Sequence, residues 1–164
     1  MRTATQYTVG AGEGERADFP RLGNRYVVRG ADTGGRFAVV EHTIAPRSLA
    51  APLHTHEHED EYSFVLAGRM AAEIGDAVIE AEAGDLVLKP RGIPHAFWNP
   101  GDEDTRVLEI IAPAGFEQYF ADLAPHLAAA EPDLAALGAI RERYGLMMDV
   151  TSIGRLIEEH GLTP

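Results

Sequence analysis

Leu53-His54-Thr55-His56-Glu57-His58-Glu59-Asp60-Glu61, running on as Tyr62-Ser63-Phe64-Val65-Leu66-Ala67-Gly68, is the stretch that decides how the rest of the chain is read. His54 and His56 are two residues apart. On an extended segment the side chains of i and i+2 leave the same face, so both imidazoles can reach one ion. Glu61 follows an acidic stretch and opens the apolar run Tyr62 to Ala67, a β segment that stops at Gly68. Further on, the turn Pro90-Arg91-Gly92-Ile93-Pro94 can swing His95 back over the same sheet face. If the residues between the two stretches fold back as a hairpin, three imidazoles and one carboxylate converge. That donor set suits a single first-row divalent ion. One HxH pair is weak evidence for a metal; joined by a carboxylate and a third His at compatible positions it is much stronger. The register stays open at this point, because His56-Glu57-His58 is a second HxH pair and Glu59 a second carboxylate.

Outward from this stretch the chain reads as short β segments between turn residues. Tyr26 to Val28, Phe37 to Ile44, Leu86 to Leu88, Ala96 to Trp98 and Val107 to Ile111 are such segments. Met70 to Ile74 and Ala77 to Ala81 flank Gly75-Asp76, a two-residue turn suited to a tight hairpin. Many short strands spaced by Gly and Pro predict an all-β sandwich or barrel. After Pro113 the character changes. Phe116, Tyr119, Phe120, Leu123 and Leu127 form one apolar helical stripe. Pro125 is expected to end or kink that helix. Pro132 is expected to open a second, with Leu134, Leu137 and Ile140 inward and Gly145 closing it. Thr151 or Ser152 is expected to cap a third that ends near Gly161. The expected organisation is a loosely ordered arm over 1–22, a barrel over 23–112, and helices over 113–164 that cover the barrel or a partner subunit.

At 164 residues the chain is long enough for one domain with a real core, and 45% hydrophobic with 24% charged residues is ordinary for a globular protein. There is no Cys, which excludes disulfides, thiolate ligands and cysteine nucleophiles. A net charge of −12 argues against nucleic acid, whose phosphates need a basic surface. No apolar run approaches the roughly 20 residues that span a bilayer, and Met1 to Gly14 holds no signal-type apolar stretch. A cytoplasmic protein with no membrane contact is expected.

The residues quoted above resemble the two motifs of the cupin superfamily, in its single-domain conserved-barrel type. The first motif reads His54-Thr55-His56, four residues, Glu61, six residues, Gly68; the second reads Gly84, five residues, Pro90-Arg91-Gly92, two residues, His95, three residues, Asn99. The resemblance implies a double-stranded β-helix (a jelly-roll cupin barrel) with a C-terminal helical tail. It selects His54, His56, Glu61 and His95 as ligands of one divalent ion in the lumen: Fe, Mn, Ni, Co, Cu or Zn. His58 is then solvent-facing or supports the ligands from outside. The stretch around Pro52 to Gly68 and the tail beginning Ala112-Pro113-Ala114-Gly115-Phe116 are further similar to bacterial quercetin 2,3-dioxygenase-type monocupins. That likeness implies a dioxygenase in which the metal binds the deprotonated oxygen of a flavonol or related enolic compound, with Glu61 as ligand and base.

Phe64, Met70, Phe97 and Trp98 are candidates for the wall of a small-molecule pocket. Plain barrel core is the competing reading of each. His42 is read as a satisfied wall residue, and His126 and His160 as surface. The same ligands could serve a non-oxidative isomerase, decarboxylase or lyase, since a Lewis acid beside a basic carboxylate suits both. A non-catalytic binding cupin is a third reading. A sugar-nucleotide epimerase-like role is disfavoured, because the acidic chain with Lys89 as its only Lys offers little for a diphosphate. Open sheet edges give a physical reason to expect a homodimer.

Overall fold

The computed structural model describes residues 8–129, 131 and 133–163. Ten strands and four helices follow in the order β1 (Leu22–Val28), α1 (Gly30–Thr33), β2 (Ala38–Ile44), β3 (Leu49–His56), β4 (Asp60–Ala67), β5 (Arg69–Ile74), β6 (Ala77–Glu82), β7 (Leu86–Lys89), β8 (His95–Trp98), β9 (Thr105–Ala112), α2 (Glu117–Leu127), α3 (Leu134–Arg143), β10 (Leu146–Met148) and α4 (Ser152–His160). They build two five-stranded antiparallel sheets of order β1-β2-β9-β4-β7 and β10-β3-β8-β5-β6, the jelly-roll architecture expected from the sequence. No helix among the described residues is long and apolar enough to cross a membrane.

Local chemistry places the strands. Ile74 pairs with Ala77 across Gly75-Asp76, so β5 and β6 form the tight hairpin that the turn residues call for. Gly68 joins β4 to β5 with a φ of +76°, and a Cβ there would lie 2.9 Å from the Asp104 carbonyl oxygen. Both the left-handed backbone and the close approach require glycine. Asn99 closes the second motif as a structural residue. Its side-chain nitrogen donates to the carbonyls of Ile44, Ala45 and Glu103, and its oxygen accepts from the Gly101 amide at 2.8 Å. A buried amide satisfied this fully fixes the exit of β8 against β2.

Inside the sheets, one end of the barrel is filled by Ile44, Val65, Met70, Val87, Phe97 and Val107. The other end is roofed by α2 and α3, whose Tyr119, Phe120, Leu123 and Ile140, with Phe116 just before α2, join Val40, Ile111 and Leu146. Glu117 anchors that roof. Its buried carboxylate accepts from the amides of Gly30 and Gly115, and its carbonyl accepts from the Tyr26 hydroxyl. Outside the second sheet, α4 lays Leu156 over Ala71 and Trp98. Fully burying such a leucine stabilises the fold by about 2 kcal/mol.

Several details differ from the sequence reading. Pro125 lies within α2, which runs on to Leu127. In the last turn the single hydrogen bond a proline removes is tolerated. Leu134 points to solvent at 76% exposure, while Leu137 and Ile140 face inward. Asp133 caps α3 by accepting from the amides of Ala135 and Ala136. The expectation for Pro132 lies outside the described residues, as do the first seven residues of the arm. From Arg16 onward the arm lies along β1: the Ala17 amide donates to the Asn24 carbonyl and the Tyr26 amide to that of Glu15. The short β10, which the sequence reading lacked, pairs with the ligand-bearing end of β3.

Candidate metal centre

His54 and His95 are direct cross-strand partners on β3 and β8, with ring centroids 4.3 Å apart. His56 lies two residues along β3 on the same face, and the Gly92 amide donates to its carbonyl at 2.9 Å. That bond ties the Pro90 to Pro94 turn to the strand it serves. Glu61 comes from the facing sheet, on β4 between Lys89 of β7 and Ile111 of β9. All four side chains are buried, and one donor atom from each lies within 4.8 Å of the others.

The hydrogen bonds around the imidazoles fix which nitrogen faces inward. His54 Nδ1 lies 2.7 Å from the Pro52 carbonyl and His95 Nδ1 lies 3.1 Å from that of Ile93. A carbonyl only accepts, so each Nδ1 carries the proton and each Nε2 presents a lone pair. His56 Nδ1 has the Glu59 carboxylate 3.5 Å away. His56 Nε2 and His95 Nε2 are buried without a hydrogen-bond partner, at 3.5 and 3.4 Å from the Glu61 oxygens. Buried ring nitrogens left without a partner beside one carboxylate are costly unless something shares them. A divalent ion does so, and this group fits one. Burial and the neighbouring imidazoles hold His54 well below the usual histidine range. Burial likewise lowers His95. Both are therefore neutral and ready to ligate at pH 7.

Lys89 Nζ donates to Glu61 Oε2 at 2.9 Å and to Glu109 Oε2 at 2.8 Å, and lies 4.3 Å from the centre of the Phe97 ring. Ser63, the cross-strand partner of Glu109, donates to the same Glu109 oxygen. Burial alone would raise Glu61, but Lys89 and the imidazoles bring its carboxyl well below the usual range. Burial and the Glu61 charge push Glu109 up, against Lys89 and Ser63. Burial would discharge Lys89, and its two carboxylates more than offset that. The sequence reading missed Ser63 and Glu109 and gave Lys89 no role. The signal for Glu109 was a lone carboxylate inside the apolar run Val107 to Ile111.

Residues 40–111 match the family model described as Cupin domain. Over these residues, somewhat less than half of the chain, the sequence is similar to a cupin domain. The barrel is similar to KdgF from Halomonas sp., with 18% identity and a TM-score of 0.58 over 65% of this chain and 93% of that one. It is also similar to a predicted oxalate decarboxylase from Thermotoga maritima (19%, 0.60, over 65% and 98%) and to a sugar phosphate isomerase from Silicibacter pomeroyi (18%, 0.56, over 64% and 74%). At these identities the likeness is one of fold. A search of curated proteins gave no significant match.

A cavity of about 260 Å³ opens beside His54 and Glu61 and runs beneath the helical roof of the barrel. His54, Glu61, Glu109 and His42 line its polar part, and Phe97, Phe116, Tyr119, Phe120 and Leu123 much of its apolar wall. The Phe116 ring stands edge-on to His56 at 4.3 Å, so the roof touches the ligands themselves. Of the four wall residues expected from the sequence, Phe97 lines the cavity and three do not. Phe64 faces outward from β4, because the inward phase of that strand is Glu61, Ser63 and Val65. Met70 fills the closed end of the barrel, and Trp98 points outward beneath α4. His42 lines the cavity as a satisfied wall residue, its Nδ1 lying 2.7 Å from the Asn24 side-chain oxygen. His58 is solvent-exposed. His126 is partly buried in α2. His160 is partly buried: it stacks on Trp98 at 4.1 Å with its Nε2 buried.

Proposed function

We propose that this chain is a metal-dependent cupin dioxygenase acting on a small enolic or aromatic compound of flavonol-like shape. The observation that carries the reading is the position of the four-donor cluster: two of its members, His54 and Glu61, line an apolar, aromatic-walled cavity. A bound divalent ion would polarise the enolic oxygen and, if redox-active, exchange electrons with dioxygen. Glu61, held ionised, accepts the enol proton. Lys89 fixes the orientation of Glu61 through one oxygen. The aromatic roof excludes water from the reacting end. Beyond its ligand end the cavity wall is mostly apolar, with Arg141 and the Tyr119 hydroxyl as its polar groups, which suits a flat apolar body better than a small dianion or a sugar phosphate.

A second reading rests on the Glu61 and Glu109 pair. Two carboxylates with opposite shifts, shared by one lysine, suit proton transfer in a non-oxidative isomerase or lyase. Oxygen uptake separates the two. With Fe- or Mn-loaded protein and a flavonol, the dioxygenase consumes one O2 per substrate, and Glu61→Gln loses most of that rate. Substrate turnover without oxygen uptake would establish the second reading.

We also propose the homodimer. β7 is an open sheet edge, and Phe64, Leu86 and Leu88 are exposed side by side on the outer face next to it.

A further inference from the structure

The two arginines in the last turn of α3 differ in what they meet. Arg143 donates to the Asp122 carboxylate at 2.9 Å. Arg141 lines the cavity, and its guanidinium makes no ion pair or hydrogen bond among the described residues. The chain has 26 acidic residues against 14 basic ones, so a partner for Arg141 is not lacking for want of carboxylates. A guanidinium keeps its charge at every accessible pH, and Arg141 is partly buried beside an apolar wall with its donors left for a ligand or water. Tyr119 lines the same cavity, and its hydroxyl likewise has no hydrogen-bond partner among the described residues. Burial pushes that phenol up to about 12 despite the Arg141 charge, so it remains a donor.

Two kinds of chemistry therefore share one cavity. The strands supply metal donors; α2 and α3 supply Tyr119 and Arg141. Arg141 stands in the last turn of α3, so it belongs to the roof rather than to the ligand cluster. Apolar side chains, including Phe116, Phe120, Leu123 and Leu137, make up the wall between these groups.

We propose that Arg141 is a specificity residue that takes a carboxylate of the substrate, with the Tyr119 hydroxyl as a second donor. The substrate class is then a flat apolar body carrying an ionisable oxygen for the metal end and a carboxylate for the roof end. This deepens the functional reading above and rests on it for the metal end alone.

The test uses a matched pair of probes, 6-hydroxy-2-naphthoate and its neutral amide. Their dissociation constants are measured by calorimetry on Zn-loaded protein, where neither probe is oxidised, and on metal-free protein. The wild type is expected to prefer the carboxylate by about tenfold or more, as befits a charge-assisted bidentate bond. Arg141→Gln is expected to abolish the preference while amide affinity stays within about twofold, and Arg141→Lys to restore part of it. A thermal melt of each variant confirms the fold. An unchanged carboxylate-to-amide ratio in Arg141→Gln overturns the proposal, and so does failure of the wild type to bind either probe at millimolar concentration. If the metal reading fails instead, Zn has no effect on either affinity, yet the preference and its loss in Arg141→Gln persist in metal-free protein.

Discussion

Lys89 and Glu61 are direct cross-strand partners on β7 and β4, and the ammonium reaches the carboxylate at 2.9 Å with both side chains buried. The pair sets the charge of the metal centre. Without Lys89, Glu61 and Glu109 would be two buried carboxylates with no cation between them. Lys89→Met is therefore expected to destabilise the metal-free protein by about 3–5 kcal/mol, the usual cost of breaking a buried pair. Adding Zn should recover part of that loss, since the ion takes over the compensation of Glu61. Urea melts with and without metal check this. A Lys89→Met protein as stable as the wild type would remove the pair from the account.

The ligand assignment separates neighbouring histidines. His95→Ala is expected to weaken metal binding by at least about tenfold, more than removal of a mere supporting partner often costs, while leaving the barrel folded. His58→Ala should bind metal as the wild type does, because its ring is exposed. Competition against a chromogenic chelator measures both. Metal loss in His58→Ala would mean that the other HxH register holds the ion.

His42 predicts a pH dependence of stability. Burial first, and then the Lys89 charge, lowers this imidazole to about 4. An unfolded histidine titrates near 6.5. Between those values the unfolded state binds the extra proton, so stability is full above about 6.5 and is lost as pH falls toward 4. The single site accounts for up to about 3 kcal/mol across that window. His54 and His95 shift the same way. His42→Gln should therefore reduce the slope of unfolding free energy against pH by about one proton's worth and leave the rest. Denaturant titrations at pH 7 and 4.5 in chelator would show it, and an unaltered slope would contradict the burial of a neutral His42.

Much of the site was legible because its grammar is local. The i, i+2 spacing of His54 and His56 survives any error in strand boundaries, and the Pro90 to Pro94 turn announces that His95 is presented rather than buried at random. The wall was harder to read because the barrel inverts the usual pattern near its four-donor cluster. On β4 the inward residues are Glu61, Ser63 and Val65, and the outward ones Tyr62, Phe64 and Leu66; on β7 Val87 and Lys89 point in while Leu86 and Leu88 point out. A rule that sends apolar residues inward therefore puts Phe64 in the pocket and leaves Lys89 outside it. Glu109 was hidden for a related reason, since its neighbours Leu108 and Ile110 read as core. The cavity roof depends on how α2 and α3 dock, which the aromatic stripe of α2 does not specify.

The same inversion bears on assembly. Phe64, Leu86 and Leu88 expose apolar surface beside the open edge of β7. Leu86→Glu/Leu88→Glu is expected to convert a dimer to a monomer in sedimentation velocity, without loss of metal. A double variant that sediments as the wild type does would place any dimer contact elsewhere.

The central claim is that His54, His56, Glu61 and His95 hold one metal ion, and elemental analysis tests it most directly. Untagged protein prepared without chelator, beside His54→Ala/His56→Ala, is expected to carry about one transition metal per chain in the wild type and almost none in the variant. A wild type that stays metal-free after reconstitution, or a double variant that keeps its full complement, would contradict the account.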